Sequence, residues 1–207
     1  MVRWSIAALL LSIAAPAAAS PERPLVLAFG DSLTAGYGLD PGLGFAPQLQ
    51  ATLRRHGIAA RVVDGGVSGD TSAAALARLA WTLGGLDEKP DLVIVELGAN
   101  DMLRSIKVEQ TEENLDAILA ELARRKIPVL LAGMRAIRNS ESGYLHRFEN
   151  LYPALAAKYG VRLYPFFLDG VALVDGMTLP DRMHPRFRGV KLIVTRIVGP
   201  VKSALGR

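Results

Sequence analysis

The chain has 207 residues, a formal net charge of +4, half of its residues apolar and 21% charged, a composition that excludes disordered and fibrous architectures. It contains no cysteine. That removes a disulfide framework, a thiolate nucleophile, an iron–sulfur cluster and a cysteine zinc site, so any covalent catalysis must use another side chain. The small positive charge is dispersed, and Arg54-Arg55 and Arg124-Arg125-Lys126 fall at predicted helix ends, where cations complement the dipole; no nucleic-acid partner is expected.

The first 19 residues differ from the rest. Arg3 precedes an apolar stretch from Ile6 to Ala15, and Ala17-Ala18-Ala19 offers small residues at a cleavage site, the pattern of a secretory signal peptide. The apolar stretch is shorter than the roughly 20 residues of a membrane span, and no later segment of that length lacks charge. The expectation is a signal cleaved near Ala19 and a periplasmic or secreted product with no stable span. Residues 20–207 can bury roughly 70% of their extended surface in one core, and no linker divides them.

Five short apolar runs read as buried strands: Leu25 to Phe29, Arg61 to Val63, Leu92 to Leu97, Ile127 to Ala132 and Val161 to Phe167. Helical stretches lie between them at Phe45 to His56, Thr71 to Leu83, Thr111 to Lys126 and Tyr144 to Tyr159, each ending at a helix-stop signal. A last helical stretch carries Val190, Ile193, Val194, Ile197, Val198 and Val201, and Gly199-Pro200 is expected to bend or end it. Strict alternation implies a parallel sheet covered on both faces, a three-layer α/β/α domain.

In such a domain the ligand site lies beyond the carboxyl ends of the strands. Gly30-Asp31-Ser32-Leu33-Thr34 follows the first, Asp64-Gly65-Gly66-Val67-Ser68-Gly69-Asp70 the second, and Gly98-Ala99-Asn100-Asp101 the third. Ser32 is the candidate nucleophile; taken alone it reads sooner as a helix-capping serine in a turn, and the choice depends on finding a base. Of three histidines, His56 and His146 suit a helix end and an amphipathic helix. His184 sits in Pro180-Asp181-Arg182-Met183-His184-Pro185, where Asp181 can turn back onto the imidazole or pair with Arg182.

A carboxylate on one ring nitrogen fixes the tautomer and leaves the other to take a serine proton. The oxyanion of acyl transfer needs preorganised donors, and the Ser32 N–H, the Gly69 N–H and the Asn100 amide are on offer. Gly65, Gly66, Gly69 and Asn100 also read as turn residues. There is no G-x-G-x-x-G register or Lys-Ser/Thr pair for a nucleotide, and no first shell for a metal.

These four blocks together resemble the SGNH, or GDSL, hydrolases, specifically the secreted bacterial arylesterase, acyl thioesterase and lysophospholipase branch, and the similarity spans nearly the whole mature chain. The resemblance implies a flavodoxin-like α/β/α fold with a five-stranded parallel sheet and no cofactor. It implies Ser32 as nucleophile, His184 as base, Asp181 as its orienter, and Ser32, Gly69 and Asn100 as oxyanion donors. The expected reaction is hydrolysis of an acyl ester, aryl ester or lysophospholipid, or of an acyl thioester, through an acyl-enzyme. Export favours esters, since coenzyme A thioesters belong to the cytosol.

The chain departs from close relatives in carrying Arg182-Met183 between acid and base and Arg186 after His184-Pro185, with Arg188 beyond, and in the stretch Met134 to Gly143. Met102, Leu103, Ile106 and Ile137 are candidate acyl contacts, and Arg182, with Arg186, favours anionic leaving groups. Two alternatives are an O-acetyl glycan esterase of the same mechanism, for which aromatic sugar platforms are scarce, and a non-catalytic exported binding domain.

Overall fold

The apolar runs form a five-stranded, all-parallel sheet in the computed structural model, which describes residues 23–136 and 142–207. The strands are β1 (Leu25–Gly30), β2 (Arg61–Gly66), β3 (Leu92–Glu96), β4 (Val129–Ala132) and β5 (Arg162–Tyr164), in the order β2-β1-β3-β4-β5. Every residue of β1, β3 and β4 is buried, whereas β2 and β5 at the edges expose part of their length. That is why the three central strands read as unbroken apolar runs.

Among the described residues the longer helices are α2 (Phe45–Arg55), α3 (Ser72–Gly84), α5 (Val108–Arg124), α6 (Ser142–Tyr159) and α7 (Phe187–Ala204). α2 packs on α7 over one face of the sheet, while α3, α5 and α6 pack side by side over the other. The inward stripe of α5, Leu115, Ile118, Leu119 and Leu122, is fully buried, as the helical spacing requires. No helix among the described residues is long and apolar enough to cross a membrane.

Three details differ from the sequence reading. Two short helices, α1 (Ser32–Ala35) and α4 (Ala99–Leu103), stand where loops are expected. β2 continues through Gly65-Gly66, making those glycines strand rather than turn. α7 does not end at Gly199-Pro200 but runs on to Ala204. Val201 anchors its last turn in the core, and the carbonyl that the missing Pro200 N–H would have paired belongs to exposed Arg196. The candidate contact Ile137 and residues 1–19 lie outside the described residues.

The strand order reverses direction between β1 and β3, and the crevice at such a switch point is where this architecture binds ligands. β1 leads into Ser32, β3 into Asn100 and β2 into Gly69. Three of the sequence blocks therefore converge on one sheet edge.

Candidate active site

Ser32 opens α1, and the preceding Asp31 caps that helix by accepting the Leu33 N–H at 2.9 Å. Buried β1 leaves the chain one tight turn in which to reach the surface, so the Ser32 hydroxyl emerges at the sheet edge. Its Oγ lies 2.9 Å from Nε2 of His184. His184 Nδ1 lies 2.7 Å from Asp181 Oδ2. An ionised carboxylate only accepts, so it holds the proton on Nδ1 and leaves Nε2 with a lone pair facing the serine.

The Asp181 carboxylate also builds its own loop. Its Oδ1 accepts the backbone N–H groups of Met183 at 2.9 Å and His184 at 3.0 Å, an Asx-type turn. Arg182 adopts a left-handed conformation to close it, with φ of 60°. The partial burial of Asp181 pushes its pKa upward, but the bonds from the His184 ring and the two N–H groups outweigh this and hold it below the ordinary value. The competing Asp181–Arg182 pair does not form among the described residues. The Tyr37 ring covers the imidazole with centroids 4.4 Å apart.

Gly69 has φ of +87°, a conformation that other side chains rarely adopt. Its carbonyl accepts from Arg104 Nη2 at 2.8 Å, while its N–H has no acceptor among the described residues. The Ser32 N–H, in the first turn of α1, is likewise without an intrahelical partner. Asn100 donates from Nδ2 to Asp31 Oδ2 at 3.1 Å, which fixes the orientation of the amide and leaves its second N–H for another acceptor. The Ser32 N–H, the Gly69 N–H and the second Asn100 N–H are thus three donors without an acceptor among the described residues, of the kind an oxyanion needs.

Two buried acids fasten this ring of donors. Asp101 accepts the Ser72 N–H at 2.8 Å and the Ser72 hydroxyl at 2.5 Å, and Thr111 donates to it at 3.3 Å, so α3, α4 and α5 meet on one carboxylate. Asp70 pairs with Arg78 at 2.6 Å, and Arg78 in turn donates to the Gly30 carbonyl at 3.0 Å. The glycine loop is thereby tied to the end of β1, and the start of α3 to the segment that follows β3.

Beneath the nucleophile lie Asp31 and Glu96, both fully buried. Burial raises the Asp31 pKa to about 6, against the lowering effect of the Leu33 N–H and the Asn100 amide. Burial and then the Asp31 charge push Glu96 well above its ordinary range; Thr34 donates to its Oε2 at 2.7 Å, and its Oε1 has no partner among the described residues.

Met102 and Leu103 lie on α4 beyond Asn100, and Ile106 follows; Leu103 is exposed and the other two are half-buried. His56 caps α2 and His146 is exposed on α6, both away from the hydroxyl–imidazole pair. Sequence reasoning assigns no role to Asp31, Asp101, Arg104 or Tyr37. Only Asp31, in the N-cap position, carries a local signal; the others act through contacts distant in sequence.

A hydroxyl, an imidazole and a carboxylate in hydrogen-bonded series at the carboxyl edge of a parallel sheet are the arrangement of serine-dependent acyl-transfer enzymes. Residues 28–192 match the GDSL-like lipase/acylhydrolase family, and the chain belongs to it. It is 41% identical to the esterase TesA of Pseudomonas aeruginosa over 180 residues, covering 87% of this chain and 89% of that protein. It is 35% identical to thioesterase 1/protease 1/lysophospholipase L1 of Escherichia coli, covering 88% and 85%. The crystal structure of AlinE4, an SGNH-hydrolase family esterase, superposes with a TM-score of 0.77 at 48% identity, over 90% of this chain and 99% of that one.

Proposed function

We propose that the protein is a serine esterase that hydrolyses acyl esters, aryl esters and lysophospholipids among them, with acyl thioesters as a secondary class. The observation that carries the mechanism is the series Asp181–His184–Ser32, with contacts of 2.7 and 2.9 Å between groups drawn from opposite ends of the chain. The relatives named esterase and thioesterase/lysophospholipase support the substrate class. With the apolar leader read as a signal peptide cleaved near Ala19, the reaction takes place in the periplasm or outside the cell, on lipid-derived esters.

Ser32 Oγ attacks the ester carbonyl as its proton passes to His184 Nε2, and the imidazolium is steadied by Asp181. The carbonyl oxygen, now negative, takes hydrogen bonds from the Ser32 and Gly69 N–H groups and the Asn100 amide. Collapse breaks the bond to the leaving alcohol, which receives the proton from His184. Water then attacks the acyl-enzyme with His184 again as base, the fatty acid leaves, and Ser32 recovers its proton. Met102, Leu103, Ile106 and Ile137 contact the acyl chain in this reading, and Arg182 faces the leaving group.

Ser32→Ala is expected to abolish both turnover of nitrophenyl esters and labelling by a fluorophosphonate, with an unchanged unfolding midpoint. Normal labelling of that variant would overturn the assignment.

A further inference from the structure

The segment from Val171 to Arg188 places an unusual surface beside the Ser32–His184 pair. Its inward side is core: Val171 and Pro185 are buried. Its outward side carries Leu173, 78% exposed, with Val174, Met183 and Phe187 each more than 40% exposed. The segment is folded back on itself: Gly189 packs against Val171, Met177 and Pro185, and the stretch between is laced together. Arg186 N–H donates to the Met177 carbonyl at 2.8 Å, Leu179 N–H to the His184 carbonyl at 2.7 Å, and Thr178 bridges Pro185. Tyr37, 53% exposed and tilted against the His184 ring, carries exposed apolar surface up to the imidazole.

Three arginines punctuate this surface: Arg182, Arg186 and Arg188, all exposed. None pairs with a carboxylate among the described residues; Arg186 is held only by the Thr178 carbonyl at 2.8 Å. Against them stands one exposed acid without an ion pair in the segment, Asp175, since Asp181 is engaged by His184. Leu173 is also held in a left-handed conformation, φ of 61°, with its side chain in water. Exposed apolar side chains interleaved along one segment with cations that pair with no carboxylate among the described residues match the surface of an anionic bilayer, in which the cations meet headgroups and the apolar tips enter the acyl boundary.

We infer that this face docks the enzyme on anionic phospholipid bilayers, placing the Ser32 pocket at the interface so that acyl lipids reach it without crossing water. The inference rests on the esterase reading only for what the docking delivers; binding itself is measured without turnover. Arg188, Leu173 and Phe187 lie outside the hydrogen-bonded site, so they can be changed without touching its chemistry.

The test uses the chain recovered from the exported fraction and carrying Ser32→Ala, sedimented with phosphatidylglycerol or phosphatidylcholine vesicles. Parent and variants share the same leader, so any contribution from it cancels. The parent is expected to sediment with phosphatidylglycerol at low ionic strength and weakly with phosphatidylcholine. Leu173→Gln with Arg188→Gln should weaken vesicle binding roughly tenfold for the apolar change and about fivefold for the charge. Phe187→Gln alone should weaken it roughly tenfold.

With Ser32 restored, the same variants should retain turnover of a soluble nitrophenyl butyrate and lose hydrolysis of a bilayer-borne ester. Absence of sedimentation by the parent, equal sedimentation of parent and variants, or release by millimolar inorganic phosphate would overturn the proposal. Failure of the unsubstituted protein, with Ser32 intact, to turn over any ester would instead overturn the esterase reading and leave the vesicle result to stand by itself.

Discussion

Replacing Asp31 by Asn should make the protein more stable and slower at once, because Asp31 is a buried charge that also aims Asn100, a proposed oxyanion donor. Its folded pKa of about 6 stands above an ordinary value of 3.8, and each unit corresponds to about 1.4 kcal/mol, so ionised Asp31 costs the folded state about 3 kcal/mol. The sign follows from the raised pKa. The folded state binds the proton more tightly than the unfolded chain, so this cost is absent below pH 3.8 and complete above about pH 6. In Asp31→Asn the new side chain still caps α1 through its carbonyl oxygen but turns its amide toward Nδ2 of Asn100, setting donor against donor.

Subtracting about 1 kcal/mol for that lost bond leaves a net gain of about 2 kcal/mol at pH 8. Relief of Glu96, whose pKa the Asp31 charge raises, adds to it. At pH 4 the gain should vanish or reverse. The misdirected Asn100 amide should lower kcat by about 10²-fold. Urea unfolding of both proteins across this pH range, with nitrophenyl butyrate turnover at pH 8, measures both effects. A stability difference independent of pH, or a stabilised variant with full activity, would refute the linkage of buried charge to donor orientation.

Asp181→Asn, which keeps the shape but permits the wrong imidazole tautomer, should cost about 10⁴-fold in kcat, with a small fall in the unfolding midpoint as the turn exchanges a carboxylate acceptor for an amide oxygen. Since hydrogen bonds hold Asp181 below its ordinary range, its contribution is lost only as pH falls through that lowered value, and esterase activity near neutrality should show no limb from this carboxyl. Asp101→Ala strands the Ser72 and Thr111 donors and should destabilise by about 3 kcal/mol in chemical unfolding, with a fall in kcat that Asp101→Asn partly restores. Gly98 has φ of +110°, and a Cβ there would run into the Tyr152 hydroxyl. Gly98→Ala should therefore lose about 3 kcal/mol, a drop in Tm of roughly 10 °C by calorimetry.

Where burial is complete the sequence is legible, and β1, β3 and β4 appear in it as apolar runs. The edge strands are harder, because β2 mixes Arg61, Asp64 and two glycines and its end falls three residues later than apolarity suggests. α1 and α4 escape notice because helices of four and five residues carry no apolar period. At the site, the Asp181 and His184 pairing can be read from a spacing of three, and Ser32 from its position after a buried strand. Asp101 and Arg104 cannot, since one receives donors from α3 and α5 and the other holds a loop 35 residues away.

The Asp181–His184 pair is closed within a single turn, and among the described residues the Ser32 hydrogen bond and the Tyr37 ring, both from the stretch that follows β1, join it to the rest of the site. Assembly of the catalytic series during folding therefore has one long-range alignment to find rather than two. The proposed acid and base form a prefabricated cartridge delivered by a short loop. Local opening of that loop would silence the enzyme with the sheet intact, so loss of activity on heating should precede loss of the fold.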